Sequence, residues 1–209
     1  MIEQTPNMVS LDAEQQRQLK RLVLEDRPYI DRVSLSFCLL LLEIRRSRNE
    51  DDIIIMEMDA LEGLAPSSTR RPADMFLHPP LTPLWHKHVF MPRHVVGNLG
   101  AHWGLLNKQH LPIEEQGNSR LDRMIADVFS KHDEVSDDFI RDLTTGFIDK
   151  PFWYRFDKGV TGDWLIFAKH KGENYYLHYT EHSKSSEDDA RIVDYLRRTA
   201  AAEFSFLFE

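Results

Sequence analysis

Cysteine is nearly absent from the chain: one in 209 residues, Cys38. No internal disulfide can form, and thiol usage this sparse fits a reducing, cytoplasmic setting. Long apolar runs are missing too. The run Phe37–Leu42 falls far short of the roughly 20 residues a membrane-spanning helix needs, so no membrane partner is expected. Residues 1–10 show no charged-then-apolar leader, and a secretory signal is not expected. The chain holds no GxGxxG, GxxxxGK[ST], GxSxG or HExxH, which removes the usual nucleotide, hydrolase-elbow and zinc-protease signatures. No cofactor is called for. A basic excess is lacking as well: the net charge of −8 argues against general coating of nucleic acid, which leaves a basic footprint.

The charge that is there is uneven. Residues 70–110 carry +4 and residues 149–171 carry +2, between acidic stretches of −5, −5 and −4. Six of the ten histidines fall in the first basic stretch. A local site for an anionic ligand is compatible with an acidic whole.

Hydrophobic spacing predicts an α+β fold: an N-terminal helical bundle, then a small antiparallel sheet backed by a C-terminal helix. Residues 11–26 repeat Leu11, Leu19, Leu22 and Val23 at helical spacing, with Ser10 placed to cap. Residues 28–47 form a second apolar stripe and Ile53–Leu61 a third, ending near Gly63 and Pro66. Residues 65–84 hold five prolines, which suit an extended connector and neither a helix nor a central strand. The expected divisions are therefore 1–64, a connector at 65–84, and an α+β part at 85–209. Within that last part, helices are predicted from Pro92, over 118–131, and from the Ser136 cap to about Phe147. DWLIFAKH (163–170) and NYYLHYTEH (174–182) alternate around Lys171-Gly172-Glu173 and read as a β-hairpin; a final helix is predicted at 186–199.

If the hairpin turns at Gly172-Glu173, Lys169 faces Tyr176, Phe167 faces His178, and Leu165 faces Thr180. Period-two alternation then places Lys169, Tyr176 and His178 on one surface, with His182 near its end. Trp164, Ile166, Ala168, Leu177 and Tyr179 take the opposite, core face, and His170 falls on that side. Cleavage of RNA without a metal needs a base, an acid and a cation around one phosphate. Histidines supply the first two near neutral pH and Lys or Arg the third, while a tyrosine can stack a base. The candidate catalytic set is His178, His182, His170, Lys169 and Tyr176.

Leu84-Trp85-His86-Lys87-His88 puts two imidazoles two residues apart, and His94, Asn98 and His102 share a helix face. His86, Lys87, His88, Arg93 and Arg155 are candidates for holding a phosphate. The alternative for the histidines is a metal site of His86, His88 and His102. Cys38, inside its apolar run, reads as core.

The segments LWHKH (84–88), TGDWLIFAKHKGENYYL (161–177) and EFSFL (203–207) resemble a family of uncharacterised bacterial proteins. That resemblance covers about residues 75–207; it implies a bacterial, cytoplasmic protein and brings no assigned activity. In layout, the hairpin-plus-helix is similar to RelE/barnase/colicin-type ribonuclease toxins. The leading expectation is a metal-independent, toxin-like endoribonuclease acting on RNA, with a cognate inhibitor as a protein partner. The alternatives are a non-enzymatic protein–protein interaction protein and a histidine-ligated metal-dependent hydrolase.

Overall fold

The computed structural model describes residues 11–69, 71–104, 119–158 and 162–208. The fold is α+β, with a four-stranded antiparallel sheet whose strands β1 (Asp74–Met75), β2 (Trp85–Val89), β3 (Asp163–His170) and β4 (Glu173–Thr180) lie in chain order. Among the described residues, no helix is long and apolar enough to cross a membrane. Two compact units are formed. A mixed unit takes Met1–Pro66, Ala73–Lys87 and Trp164–Glu209; a mainly helical unit takes Ser67–Pro72 and His88–Asp163. These units do not follow the divisions expected at 64 and 84, because the N-terminal helices and the C-terminal hairpin belong to one unit.

In the mixed unit, α1 (Ala13–Leu24) starts at Asp12, whose carboxylate accepts from Gln15 N while the Gln15 side chain accepts from Asp12 N. This reciprocal cap satisfies two otherwise orphaned donors; Ser10 lies outside the described residues. The second helix begins later than expected. A 3-10 turn at Ile30–Arg32 leads to Val33, which bridges Tyr176, and α2 runs Leu35–Arg48 behind the Ser34 cap. Ser34 N donates to Tyr176 O (3.0 Å) and Ser34 Oγ to Leu177 O (3.1 Å). Strand β4 thus finds partners for its outer edge, a need that spacing along 28–47 could not reveal. α3 spans Asp51–Leu61.

The proline-rich stretch contributes a two-residue strand, β1 (Asp74–Met75), paired with β2 (Trp85–Val89). The hairpin is β3 (Asp163–His170) and β4 (Glu173–Thr180), followed by α8 (Ser186–Thr199). Asp163 through Ala168 are all buried, so β3 is covered on both faces. One face packs Trp164, Ile166, Ala168 and Leu177 with Leu196 and Ala200 from the α8 end, and with Phe204. On the other, Phe167 contacts Trp85 and Tyr176, and Tyr176 contacts Tyr29.

The helical unit contains α4 (His94–Trp103), α5 (Ser119–Phe129), α6 (Asp137–Thr144), a π-helical turn (Thr145–Asp149) and α7 (Lys150–Lys158). Ser136 caps α6 as expected, its Oγ accepting from Phe139 N at 3.2 Å.

Candidate ligand cavity

The helical stretch from Asp137 to Lys158 carries a proline one residue into α7. Pro151 has no N–H to give to the carbonyl of Phe147, four residues earlier, and its ring crowds that carbonyl. The backbone widens there into the π-helical turn, a form of helix common where function is built. The carbonyl is not left orphaned: Trp103 Nε1–H donates to Phe147 O at 3.1 Å. The indole also stacks on the Phe147 ring, centroids 5.9 Å apart and planes 10° from parallel. Trp103 is therefore pinned by a defect that Pro151 creates.

Beside it lies a cavity of about 420 Å³. His102 and Trp103 from the end of α4 form one wall, and Arg120, Met124, Asp127 and Val128 of α5 form another. Lys131, Asp142, Thr145, Gly146, Lys150, Pro151 and Tyr154 complete it. Arg120 Nη1 donates to His102 O at 3.3 Å, joining the start of α5 to the end of α4. The His102 ring meets Trp103 and Tyr154 edge-on, at 4.8 and 5.5 Å. At Gly146 an added Cβ would sit 2.9 Å from Met124 Sδ, so the π-helical turn approaches α5 as closely as a glycine permits.

Both acids of the lining are engaged by bases. Lys131 Nζ lies 2.6 Å from Asp127 Oδ2, and His132 Nε2 lies 3.0 Å from Asp142 Oδ2. The His132 contact holds the Asp142 carboxyl below its ordinary value, with Arg141 and Lys131 adding to it. The cavity can therefore offer flat aromatic edges, apolar thioether and alkyl surface, and cationic nitrogens to a small molecule.

The hairpin surface expected to carry catalysis does not form as one surface. The turn residues are Lys171 (φ 51°) and Gly172 (φ 85°), a pair of positive angles that matches the twist of a two-residue hairpin. Lys169 therefore faces Asn174, Phe167 faces Tyr176, and Leu165 faces Tyr179, with a bulge opposite Ile166/Phe167. The bulge reverses the alternation beyond it: Leu177 joins the core beside α8, and the His178 ring lies 4.6 Å from Tyr195 of α8.

Each candidate has a place of its own. Tyr176 is buried and donates its hydroxyl to Glu62 Oε1 at 2.7 Å. Burial, then the Glu62 carboxylate, raises its pKa well above the ordinary tyrosine value. Lys169 Nζ sits 3.8 Å from the Trp85 ring centroid, a cation–π contact on the face away from α8. Burial lowers the His178 pKa to about 4, and its Nδ1 has no hydrogen-bond partner among the described residues. His182 is exposed, 4.0 Å from the Trp164 ring, and His170 packs on Phe206 at 4.6 Å. Base, acid and cation are thus spread over two faces of the sheet.

The phosphate candidates are dispersed as well. His86 stacks on Phe76 at 4.4 Å. Lys87 is buried and ion-paired with Glu57, itself wholly buried, at 3.6 Å; burial lowers its pKa while Glu57 opposes the shift. The buried His88 accepts at its carbonyl from Thr69 Oγ1, and Arg93 and His94 both hold the buried Asp163. The Arg155 side chain lies outside the described residues. For the alternative set of His86, His88 and His102, no three His, Cys, Asp or Glu side chains gather in metal-binding geometry among the described residues. Cys38 is core, its thiol pushed up to about 12 by burial.

Of the candidates whose side chains are described, the cavity uses His102 alone. Its other residues were passed over because they carry no motif. The usable signals were Pro151 inside an otherwise helical stretch and the aromatic run Phe152-Trp153-Tyr154 directly after it. No family model, no curated protein and no solved structure matches the chain.

Proposed function

We propose that the protein binds a small organic molecule in the cavity of its helical unit. The observation that carries this reading is the cavity itself: about 420 Å³, within the roughly 300–1,000 Å³ of small-molecule sites. Its composition fits the same reading. Such sites combine mostly apolar walls with a few placed polar groups, and here Trp103, Met124, Val128, Pro151 and Tyr154 alternate with charged side chains. Cleavage of RNA at the hairpin would instead need His178, Lys169 and Tyr176 around one phosphate, and their separate environments favour the cavity.

The test is a fluorescence titration with phenylnaphthylamine, an uncharged aromatic probe that brightens in apolar surroundings. The wild type is expected to bind one probe per chain saturably. Thr145→Trp, which fills the cavity from the π-helical turn, is expected to lose that site while keeping its helical circular dichroism. Equal binding by both proteins would place the probe elsewhere and overturn the reading.

A further inference from the structure

We infer that the ligand is an organic anion with a flat apolar body, its negative group met by Lys150; this inference rests on the cavity being a small-molecule site. The charge balance of the lining carries the argument. Three cations (Arg120, Lys131, Lys150) and two carboxylates (Asp127, Asp142) line the cavity, a balance of +1 from these five side chains. Asp127 is taken by Lys131, and Asp142 by His132, which stands outside the lining. Neither carboxylate is left to attract a cationic ligand. Lys150 makes no hydrogen bond or ion pair among the described residues, so its ammonium is available to an incoming acid.

The position of Lys150 is fixed by the same defect that pins Trp103. It opens α7 directly after the π-helical turn and precedes Pro151, whose ring shares the lining. Tyr154, one helical turn further on, brings its ring to the same wall, edge-on to His102. Residues four apart on a helix are neighbours on its surface, so α7 presents a cation and an aromatic ring side by side. A carboxylate, sulfonate or phosphate carried on an aromatic ring matches that pair: the acid at Lys150, the ring against Tyr154, His102 and Trp103.

Two probes sharing one ring skeleton test this on the full chain: anilinonaphthalene sulfonate and its uncharged parent, phenylnaphthylamine. Lys150→Gln is expected to weaken the sulfonate about threefold and Lys150→Glu about tenfold, the scale of one exposed charge contact, while phenylnaphthylamine changes by less than about twofold. Lys171→Gln, which removes the same charge from the hairpin turn, should leave both probes unaffected. Raising the salt concentration should weaken only the sulfonate. If Lys150→Glu leaves sulfonate binding unchanged, or weakens both probes alike, the assignment of an anion to Lys150 is overturned while the cavity stands as a binding site. Failure of both probes to bind the wild type would overturn the cavity reading itself.

Discussion

The two units spend their polar residues differently. In the mixed unit two clusters of them are turned inward and matched with one another. Tyr29 and Arg27 meet Asp59, while Tyr176, Arg32 and Asn174 meet Glu62. Asp59 lies in the last turn of α3 and Glu62 is its C-cap, and the two tyrosine rings touch at 5.4 Å. Burial alone would raise the Glu62 pKa, but the hydrogen bonds from Arg32, Tyr176 and Asn174 outweigh it and bring it down. These networks join α3 to the hairpin and to the segment before α2, so the charges they hold are spent on one another. In the helical unit, by contrast, a lysine and several rings border open space. Residue types that look like catalysis in the sequence are cross-links in one unit, while residues without any motif line the cavity of the other.

A pair of lysines sharpens this contrast most. Lys87→Met should destabilise the protein by about 3–5 kcal/mol, because it removes an ammonium paired with the wholly buried Glu57. Lys150→Gln should move stability by less than about 0.5 kcal/mol, as exposed substitutions do. Urea unfolding of the two variants checks both, and equal losses would break the comparison.

His178 supplies a pH dependence of the next size. Its folded pKa of about 4 lies below the ordinary 6.5, so between those values the unfolded chain takes up a proton that the folded chain refuses. Stability should therefore be unaffected above pH 6.5 and fall as the pH drops towards 4, by up to about 3 kcal/mol. Below that value this loss is complete. His178→Leu should flatten this part of the stability–pH curve; an unchanged slope would show that burial of this imidazole is not its source.

Smaller effects follow for the two aromatic anchors. Tyr176→Phe removes a hydrogen bond to the half-buried Glu62 carboxylate and should cost about 1–3 kcal/mol. Trp103→Phe leaves the Phe147 carbonyl without its indole donor and should cost about 1–2 kcal/mol, read from the thermal midpoint. A neutral Trp103→Phe would mean that the π-helical turn does not depend on that bond.

Much of the fold was legible. The α+β class and the final helix at 186–199 follow from spacing and caps, and the third and fifth helices differ only at their ends. The start of α2 was missed because residues 30–33 answer to a distant strand, with Val33 bridging Tyr176 across the unit. The site was far less legible, and the hairpin shows why. One choice of turn residues, Lys171-Gly172 against Gly172-Glu173, changes every cross-strand pair, and the bulge then carries His178 to the α8 face. Alternation sorts side chains reliably only when register and bulges are known. The cavity depends on four helices meeting, and local spacing says nothing about where they meet. Pro151, misplaced for an ordinary helix, and the aromatic run that follows it marked the spot.

The central claim is that a small molecule sits against Trp103. Indole N–H resonances observed during a titration with anilinonaphthalene sulfonate test it most directly, with the Trp103 signal assigned by its loss in Trp103→Phe. The account predicts a saturable shift of the Trp103 signal, with those of Trp85 and Trp164 unmoved. A still Trp103 beside a shifting Trp164, the neighbour of His182, would contradict it and move the binding site to the hairpin.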